Sequence, residues 1–253
     1  VLTMTGHPDL HEEEAQINEM IGHRVDGIII TSNPFFPESL LYKLSALNIP
    51  VVLIERTRNL PFVDGIQVND LAGSFEAVWH IIQKGHRQIG FIGMQPFHEV
   101  ENLRHQGYCD ALKQAGLEVT SEYLCFMPAY SVECGYAGME RLLNLPNPPT
   151  AVFATSDLLA CGVMQCLHQH GKSVPEDFSL VGYDNTLSTM LAPPISSIGL
   201  SLEDIGQNAI QLLLKRMADF KKPAEIIRIQ TMLIERDSVH PTGKVITSAC
   251  IHI

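Results

Sequence analysis

Short runs of apolar, often β-branched residues alternate along the chain with longer amphipathic stretches. The runs that predict strands cover residues 1–4, 26–31, 51–54, 65–68, 88–92, 150–154 and 178–183. Between them, apolar residues recur at helical spacing, as at Leu71, Phe75, Val78 and Ile82. Strict alternation of strands and helices predicts βαβ units. We therefore expect an α/β fold with parallel sheets that helices cover on both faces.

The order of these segments predicts two Rossmann-like lobes. One series of units runs to residue 92 and a second runs from about residue 123 to 183. A further strand at 195–198, a helix from Ser201 and short strands at 226–229 and 232–234 follow. Because a helix comes after a complete second series, we expect the chain to return to the first lobe. The prediction assigns residues 1–92 and 200–224 to an N-terminal lobe, 94–198 and 228–240 to a C-terminal lobe, and 241–253 to a tail.

Composition and charge narrow the functional classes. The chain has 253 residues, with 17 Lys and Arg against 28 Asp and Glu, for a net charge of −11. So acidic a chain, without a basic run, is not expected to hold nucleic acid by itself. No apolar run reaches the ~18 residues of a transmembrane helix, and the first residues do not resemble a signal peptide. Six cysteines without a CxxC pair fit a reducing compartment, so a cytoplasmic location is expected.

Motifs for catalysis and cofactors are missing from the sequence. It contains no GxGxxG after a strand, no phosphate-binding GxxxxGK[ST] loop and no GxSxG elbow. His7 and His11 are four residues apart, but Pro8 and a helix cap at Asp9 are expected to place a turn between them. We therefore predict neither an enzyme, nor a cofactor, nor a metal site. The predicted carboxyl ends of the strands instead carry polar residues that include Asn, Asp, Ser and Tyr, at 31–33, 69–70, 93–99, 129–131, 155–157 and 184–185. In open parallel sheets, small ligands bind at these ends.

Several segments resemble a known family. They are RVDGIII (24–30), IPVVLIER (49–56), VNDLAG (68–73), GHRQIGFIG (85–93), LRHQGYCDAL (103–112), AVFATSDLLACGVMQCLHQHG (151–171), VPEDFSLVGYDN (174–185), APPISSI (192–198) and LIERDSV (233–239). Together they resemble the effector-binding core of the lac repressor (LacI/GalR) family of transcription regulators, from residue 1 to about 239. The resemblance implies a periplasmic-binding-protein-like fold and a small-molecule effector, a sugar or sugar derivative, bound between the lobes.

The resemblance also implies partners. Members of this family begin with a DNA-binding headpiece, a hinge helix and a first strand and helix of the core, whereas Val1 resembles the second core strand. Operator DNA is therefore expected to be bound only through a headpiece that this chain lacks, and no membrane partner is expected. A homodimer is expected because palindromic operators require two-fold symmetry. The candidate dimer surface is the helix at 157–170 with the loop at 186–191.

The same resemblance assigns candidate effector-binding residues. Arg104, before Gln-Gly-Tyr, matches the family's effector-contacting arginine, whose rigid set of donors suits paired hydroxyls or a carboxylate. Asp184 matches the ligand-facing acid, and an Asx turn is the alternative. Asp70 matches another acid of the ligand site, or is part of an N-cap pair with Asn69.

Four further candidates have weaker support. Tyr130 lies where the family often has an aromatic that stacks on the ligand, and a core tyrosine is the alternative. Ser156 stands where the family often has Asn, and Asp157 follows it; either residue fits a helix cap or brace as well as a ligand contact. Phe97 lies on a predicted ligand-side loop without a sharp motif match.

Two other functional classes compete with this interpretation. A periplasmic sugar-binding protein of a transport system would share the fold, but the missing signal peptide, the cysteines and the pairing of GYDN with APPISSI weigh against it. An enzyme on a doubly wound fold is the more distant alternative, because no nucleophile, metal or cofactor motif supports it.

Overall fold

A computed structural model describes residues 10–31, 36–55, 60–95 and 99–242, in which the chain forms two compact units. The predicted strand at 1–4 and the tail after Thr242 lie outside these ranges. The elements are α1 (Leu10–Gly22), β1 (Ile28–Ile30), α2 (Glu38–Ala46), β2 (Val51–Ile54), β3 (Val63–Val68), α3 (Asp70–Gln83), β4 (Ile89–Met94), α4 (Glu99–Gln114), β5 (Leu124–Met127), α5 (Val132–Leu143), β6 (Ala151–Ala154), α6 (Asp157–Gln169), β7 (Ser179–Asp184), β8 (Ser196–Gly199), α7 (Leu202–Ala218), β9 (Ile226–Ile229) and β10 (Met232–Ile234).

The first unit comprises Val1–Asn69 and Ser201–Ile229. Its four described strands are all parallel, in the order β1-β2-β3-β9. Behind this sheet, the side chain of Arg216 on α7 is fully buried and donates to both carboxylate oxygens of Asp64 on β3, at 2.9 and 2.7 Å. Burial alone would raise the pKa of Asp64, but the bonds from Arg216, the Glu225 amide and Lys222 hold it below its usual value. This ion pair fixes the end of α7 to the sheet.

The second unit comprises Asp70–Leu200 and Gln230–Ile253. Its sheet has the order β10-β8-β7-β6-β4-β5, and each neighbouring pair is parallel except β10 with β8. Successive strand residues point to opposite faces: Phe91 and Phe153 pack in the cluster with α3 and α4, whereas Ile92 and Val152 pack in the cluster with α5 and α6. The α/β class with parallel sheets is thereby confirmed.

The structure corrects the predicted position of the first crossover. The sequence pattern places residues up to 92 in the first lobe, but α3 and β4 belong to the second unit, and the boundary falls between Asn69 and Asp70. The physical reason is that α3 packs its apolar stripe, including Val78 and Ile82, against the second sheet. A strand followed by an amphipathic helix has the same pattern whichever sheet the helix covers.

The last crossover also differs from the predicted boundaries. Residues 226–229 form β9, which pairs in parallel with β3 of the first unit, so the crossover follows Ile229. The prediction ended the first lobe at residue 224 and began the second at 228. Within the described ranges, no helix combines the length and the apolar character that crossing a membrane requires.

Candidate functional site

Six of the seven predicted site residues lie in the second unit, around the carboxyl ends of neighbouring strands. Asp184 ends β7, Ser156 and Asp157 follow β6, and Tyr130 follows β5. These strands and β4 are neighbours in the order β7-β6-β4-β5. Asp70 is the first residue of α3 and Arg104 lies in the second turn of α4. Phe97 lies outside the described residues.

Arg104 is the centre of this cluster. Its Nε donates to Asp70 Oδ1 at 2.8 Å and its Nη1 donates to the carbonyl oxygen of Thr155 at 2.6 Å. The guanidinium carbon lies 3.8 Å from the ring centroid of Tyr183, a cation–π arrangement. The residue is only 5% exposed. Burial opposes the charge of Arg104, but the carboxylate of Asp70 and the other acidic groups nearby raise its pKa well above the usual value. Arg104 is thus a buried, fixed cation.

Close packing of two helices fixes where Arg104 lies. α4 crosses α3 at Gly107, and a Cβ atom there would stand 2.3 Å from the carbonyl oxygen of Leu71. Only glycine permits this approach. It brings Arg104, one turn before Gly107, within reach of Asp70 at the start of α3.

Asp184 is the more accessible acid of the cluster. Its Oδ1 lies 3.6 Å from Arg104 Nη2, and its side chain is 30% exposed. The backbone at Asp184 and Asn185 has positive φ values of 92° and 52°, which Asp and Asn tolerate better than most residues. The amide of residue 186, which an Asx turn would bond to the Asp184 side chain, donates to Asp157 Oδ2 at 2.7 Å. The Asx turn proposed as the alternative role of Asp184 therefore stays a prediction.

The sequence analysis missed Glu101, which is 1% exposed. One of its carboxylate oxygens accepts from the Tyr130 hydroxyl, and the other accepts from the Met94 amide at 2.9 Å and the Thr155 hydroxyl at 3.2 Å. Arg104 Nη1 lies 3.9 Å from the same carboxylate. Burial raises the pKa of Glu101, and Arg104 and the hydrogen bonds partly offset that effect. The available signal was an acid three residues before Arg104 on one helix, a spacing that places both on one face.

Tyr130 is half-buried, and its hydroxyl is committed to Glu101. Burial raises the pKa of Tyr130, so its hydroxyl stays a donor. A stacking role for its ring remains a prediction.

Ser156 and Asp157 have structural partners. The Ser156 hydroxyl accepts from the Leu159 amide at 3.2 Å, which confirms the helix cap predicted at this residue. Asp157 is fully buried. Its Oδ2 accepts from three successive amides of residues 186–188, at 2.7, 2.9 and 3.0 Å, and its Oδ1 accepts from the Ser197 hydroxyl at 2.8 Å. These bonds give Asp157 the bracing role that the sequence analysis left open.

A second arginine, which the sequence analysis also missed, holds the turn behind Asp184. Arg236 Nη2 donates to Asn185 Oδ1 and its Nη1 donates to the carbonyl oxygen of Ile195, both at 2.6 Å. The Asn185 amide donates to the Ser197 hydroxyl at 3.1 Å. The site therefore combines a buried ionic cluster with a braced turn. No group of three potential metal-ligating side chains occurs in the part of the chain that the structure describes.

The sequence and fold of this chain match known proteins. Residues 78–239 match the family described as "Periplasmic binding protein-like domain". The chain is 35% identical over 217 residues to the HTH-type transcriptional repressor PurR of Mannheimia succiniciproducens and 37% identical over 218 residues to the probable HTH-type transcriptional repressor ExuR of Bacillus subtilis. Each alignment covers 85% of this chain but 65% of the relative. The chain thus spans about two thirds of the length of these relatives.

Solved structures of transcriptional regulators have a similar fold. A LacI family transcriptional regulator from Enterococcus faecium with bound ribose superposes with a TM-score of 0.82 at 27% identity, over 89% of this chain and 84% of that chain. The complex of the transcriptional regulator CelR with cellobiose gives a TM-score of 0.81 at 29% identity, over 90% and 70%. These proteins are named as transcriptional regulators, which favours a regulator over a transport protein or an enzyme. The chain belongs to the lac repressor (LacI) family of transcriptional regulators and covers its effector-binding core.

Proposed function

We propose that the second unit binds a small hydroxylated effector, a sugar or sugar derivative, at the cluster of Arg104, Asp70 and Asp184. The supporting observation is the buried Arg104, whose Nη2 faces the accessible Asp184 across 3.6 Å. A ligand hydroxyl can accept from a guanidinium and donate to a carboxylate at once, so this pair suits a polyol. Ribose and cellobiose in the two solved relatives are ligands of this class.

In the complete regulator, effector binding would change the affinity for operator DNA. This requires that the effector bind more tightly to one conformation than to the other, since equal affinity for both shifts nothing. DNA would be bound through a headpiece outside this chain, as part of a homodimer.

The exposed apolar side chains of α6 and the loop that follows β7 support the homodimer. Leu158 is 41% exposed and Met190 is 79% exposed. Sedimentation equilibrium of the purified chain tests this part: a dimer is expected, and a monomer at micromolar concentration contradicts it.

Ligand binding is tested by thermal-shift screening against neutral monosaccharides, disaccharides and nucleobases, followed by calorimetry. A ligand at 100 times its Kd stabilises the folded chain by about 2.7 kcal/mol, which is readily detected. Asp184→Ala should weaken binding by ~1–3 kcal/mol, because the ligand hydroxyl that donates to Asp184 would lose its acceptor.

The matched control is Glu122→Ala, which removes an exposed acid of the same unit outside the cluster. It should bind as the wild type does. Unchanged affinity in Asp184→Ala, or no binding by the wild type across the panel, would contradict the proposed site.

A further inference from the structure

The buried part of the cluster holds two carboxyl groups against one guanidinium. Asp70 is 2% exposed and Glu101 is 1% exposed, and both lie within 4 Å of Arg104. Among the residues that the structure describes, Arg104 is the cation in both of their ion pairs. Two carboxylates therefore share one guanidinium, before Asp184 adds a third acid at 3.6 Å.

The contacts of Glu101 suit an ionised carboxylate. Its three hydrogen-bond partners are the Tyr130 hydroxyl, the Thr155 hydroxyl and the Met94 amide, each of which can donate to it. The Met94 amide can only donate, and the two hydroxyls can donate as well, so this set satisfies an ionised carboxylate. Arg104 Nη1, 3.9 Å away, favours the charged form. The fold also makes room for the group, because a Cβ at Gly93 would stand 2.7 Å from Glu101 Oε2.

The donors of Arg104 are largely taken before any ligand arrives. Nε bonds Asp70 and Nη1 bonds the Thr155 carbonyl, so Nη2 is the group that faces Asp184. An anionic ligand would meet an arginine that two buried carboxylates already neutralise. A neutral hydroxyl can be placed between Nη2 and Asp184 with one acceptor and one donor, but a carboxylate or phosphate oxygen can only accept.

We propose that Glu101 is a specificity-determining residue, which makes the site select neutral hydroxylated ligands over anionic ones such as uronates and sugar phosphates. This inference rests on the proposed function, and it adds the charge class of the ligand. Glu101 acts through its charge and not by touching the ligand. At an effective dielectric constant of ~20 and a distance of ~8 Å, one unit charge changes the affinity of an anion about 30-fold.

Matched pairs of sugars test this selectivity. Calorimetry compares D-glucose with D-glucuronate, D-galactose with D-galacturonate, and D-ribose with ribose 5-phosphate, for the wild type, Glu101→Gln and the charge control Glu122→Gln. The wild type should bind the neutral member of the pair at least tenfold more tightly. Glu101→Gln, which keeps the size of the side chain, should narrow that ratio at least fivefold, whereas Glu122→Gln should leave it unchanged.

The outcomes separate this inference from the proposed function. If the wild type binds a neutral sugar and Glu101→Gln leaves the ratio unchanged, the role of Glu101 is refuted while the site stands. A wild type that binds the anionic member as tightly as the neutral one refutes it without any variant, so a poorly folding Glu101→Gln does not protect it. Absence of binding to every sugar refutes the proposed sugar site and this inference with it.

Discussion

Replacing Asp157 tests whether one buried carboxylate organises the turn that carries Asp184. Asp157 accepts three backbone amides from residues 186–188 and the Ser197 hydroxyl, and no part of it reaches solvent. Asp157→Ala removes all four acceptor contacts while leaving the fold of α6 possible. Asp157→Asn keeps an oxygen for the amides and can direct its NH₂ group to Ser197 Oγ.

The magnitude follows from which donors are left without a partner. Hydrogen bonds to a charged group contribute about 1.5–3 kcal/mol each, and a buried donor left unsatisfied costs ~1–3 kcal/mol. Residue 186 is exposed and Leu187 is half-buried, so water can replace Asp157 at those amides, but the Ser188 amide and the Ser197 hydroxyl are buried. We therefore expect Asp157→Ala to lower the free energy of unfolding by about 3–5 kcal/mol, and Asp157→Asn by about 1–2 kcal/mol.

Chemical denaturation of the purified chain measures this difference, and Ser156→Ala provides the neighbouring control. That substitution removes one helix cap and should cost about 1 kcal/mol. Under conditions in which Asp157→Asn is folded, its affinity for the effector should also be lower than that of the wild type, because the turn that holds Asp184 loosens. A loss below 1 kcal/mol for Asp157→Ala would refute the bracing role.

Three further substitutions test other parts of the chain, two in the second unit and one, as a control, on α7 of the first unit. Burial lowers the pKa of His86, which contacts the Thr150 hydroxyl at 2.8 Å. The folded chain therefore loses stability as the pH falls below ~6.5, the pKa of histidine in the unfolded chain. Melting curves between pH 7.5 and 5.5 should show a smaller fall in melting temperature for His86→Gln than for the wild type. Equal falls would contradict this role of His86. Gly107→Ala should destabilise the chain by at least about 2 kcal/mol, because its Cβ would meet the Leu71 carbonyl at 2.3 Å. Gly206→Ala on α7, where no atom lies within 4 Å, should be stabilising by ~0.5–1 kcal/mol, and similar effects at both glycines would refute the close helix crossing.

Short continuous apolar runs predict the central strands, such as β6 and β7, because those strands are buried on two faces. The apolar pattern cannot tell which sheet a helix covers, since Val78 and Ile82 would form the same stripe against either sheet. The early crossover after Asn69 was missed for this reason. Its consequence for the site is large, because it places Asp70 in the same unit as Arg104 and Asp184.

Most of the candidate site residues were predicted because they match effector-contacting positions of the family that the sequence resembles, whereas Glu101 and Arg236 were assigned no such position and were missed. A glutamate in the first turn of a helix favours the helix dipole and gives no signal of a ligand site, so Glu101 was passed over. Arg236 lies in a charged segment about fifty residues from the turn it holds. Only tertiary packing shows that either side chain is turned inward.

The braced turn also explains how a strained residue can serve a binding site. Positive φ values at Asp184 and Asn185 carry a conformational cost, so such a turn persists only when its surroundings fix it. Here Arg236 and Ser197 hold Asn185 from both sides, and Asp157 holds the residues that follow. The carboxylate of Asp184, which we propose contacts the ligand, is therefore placed before a ligand arrives, and binding would not have to order it. Preorganisation of this kind favours affinity. The same turn leads from Asp184, beside the Arg104 cluster, into a loop whose Met190 is exposed.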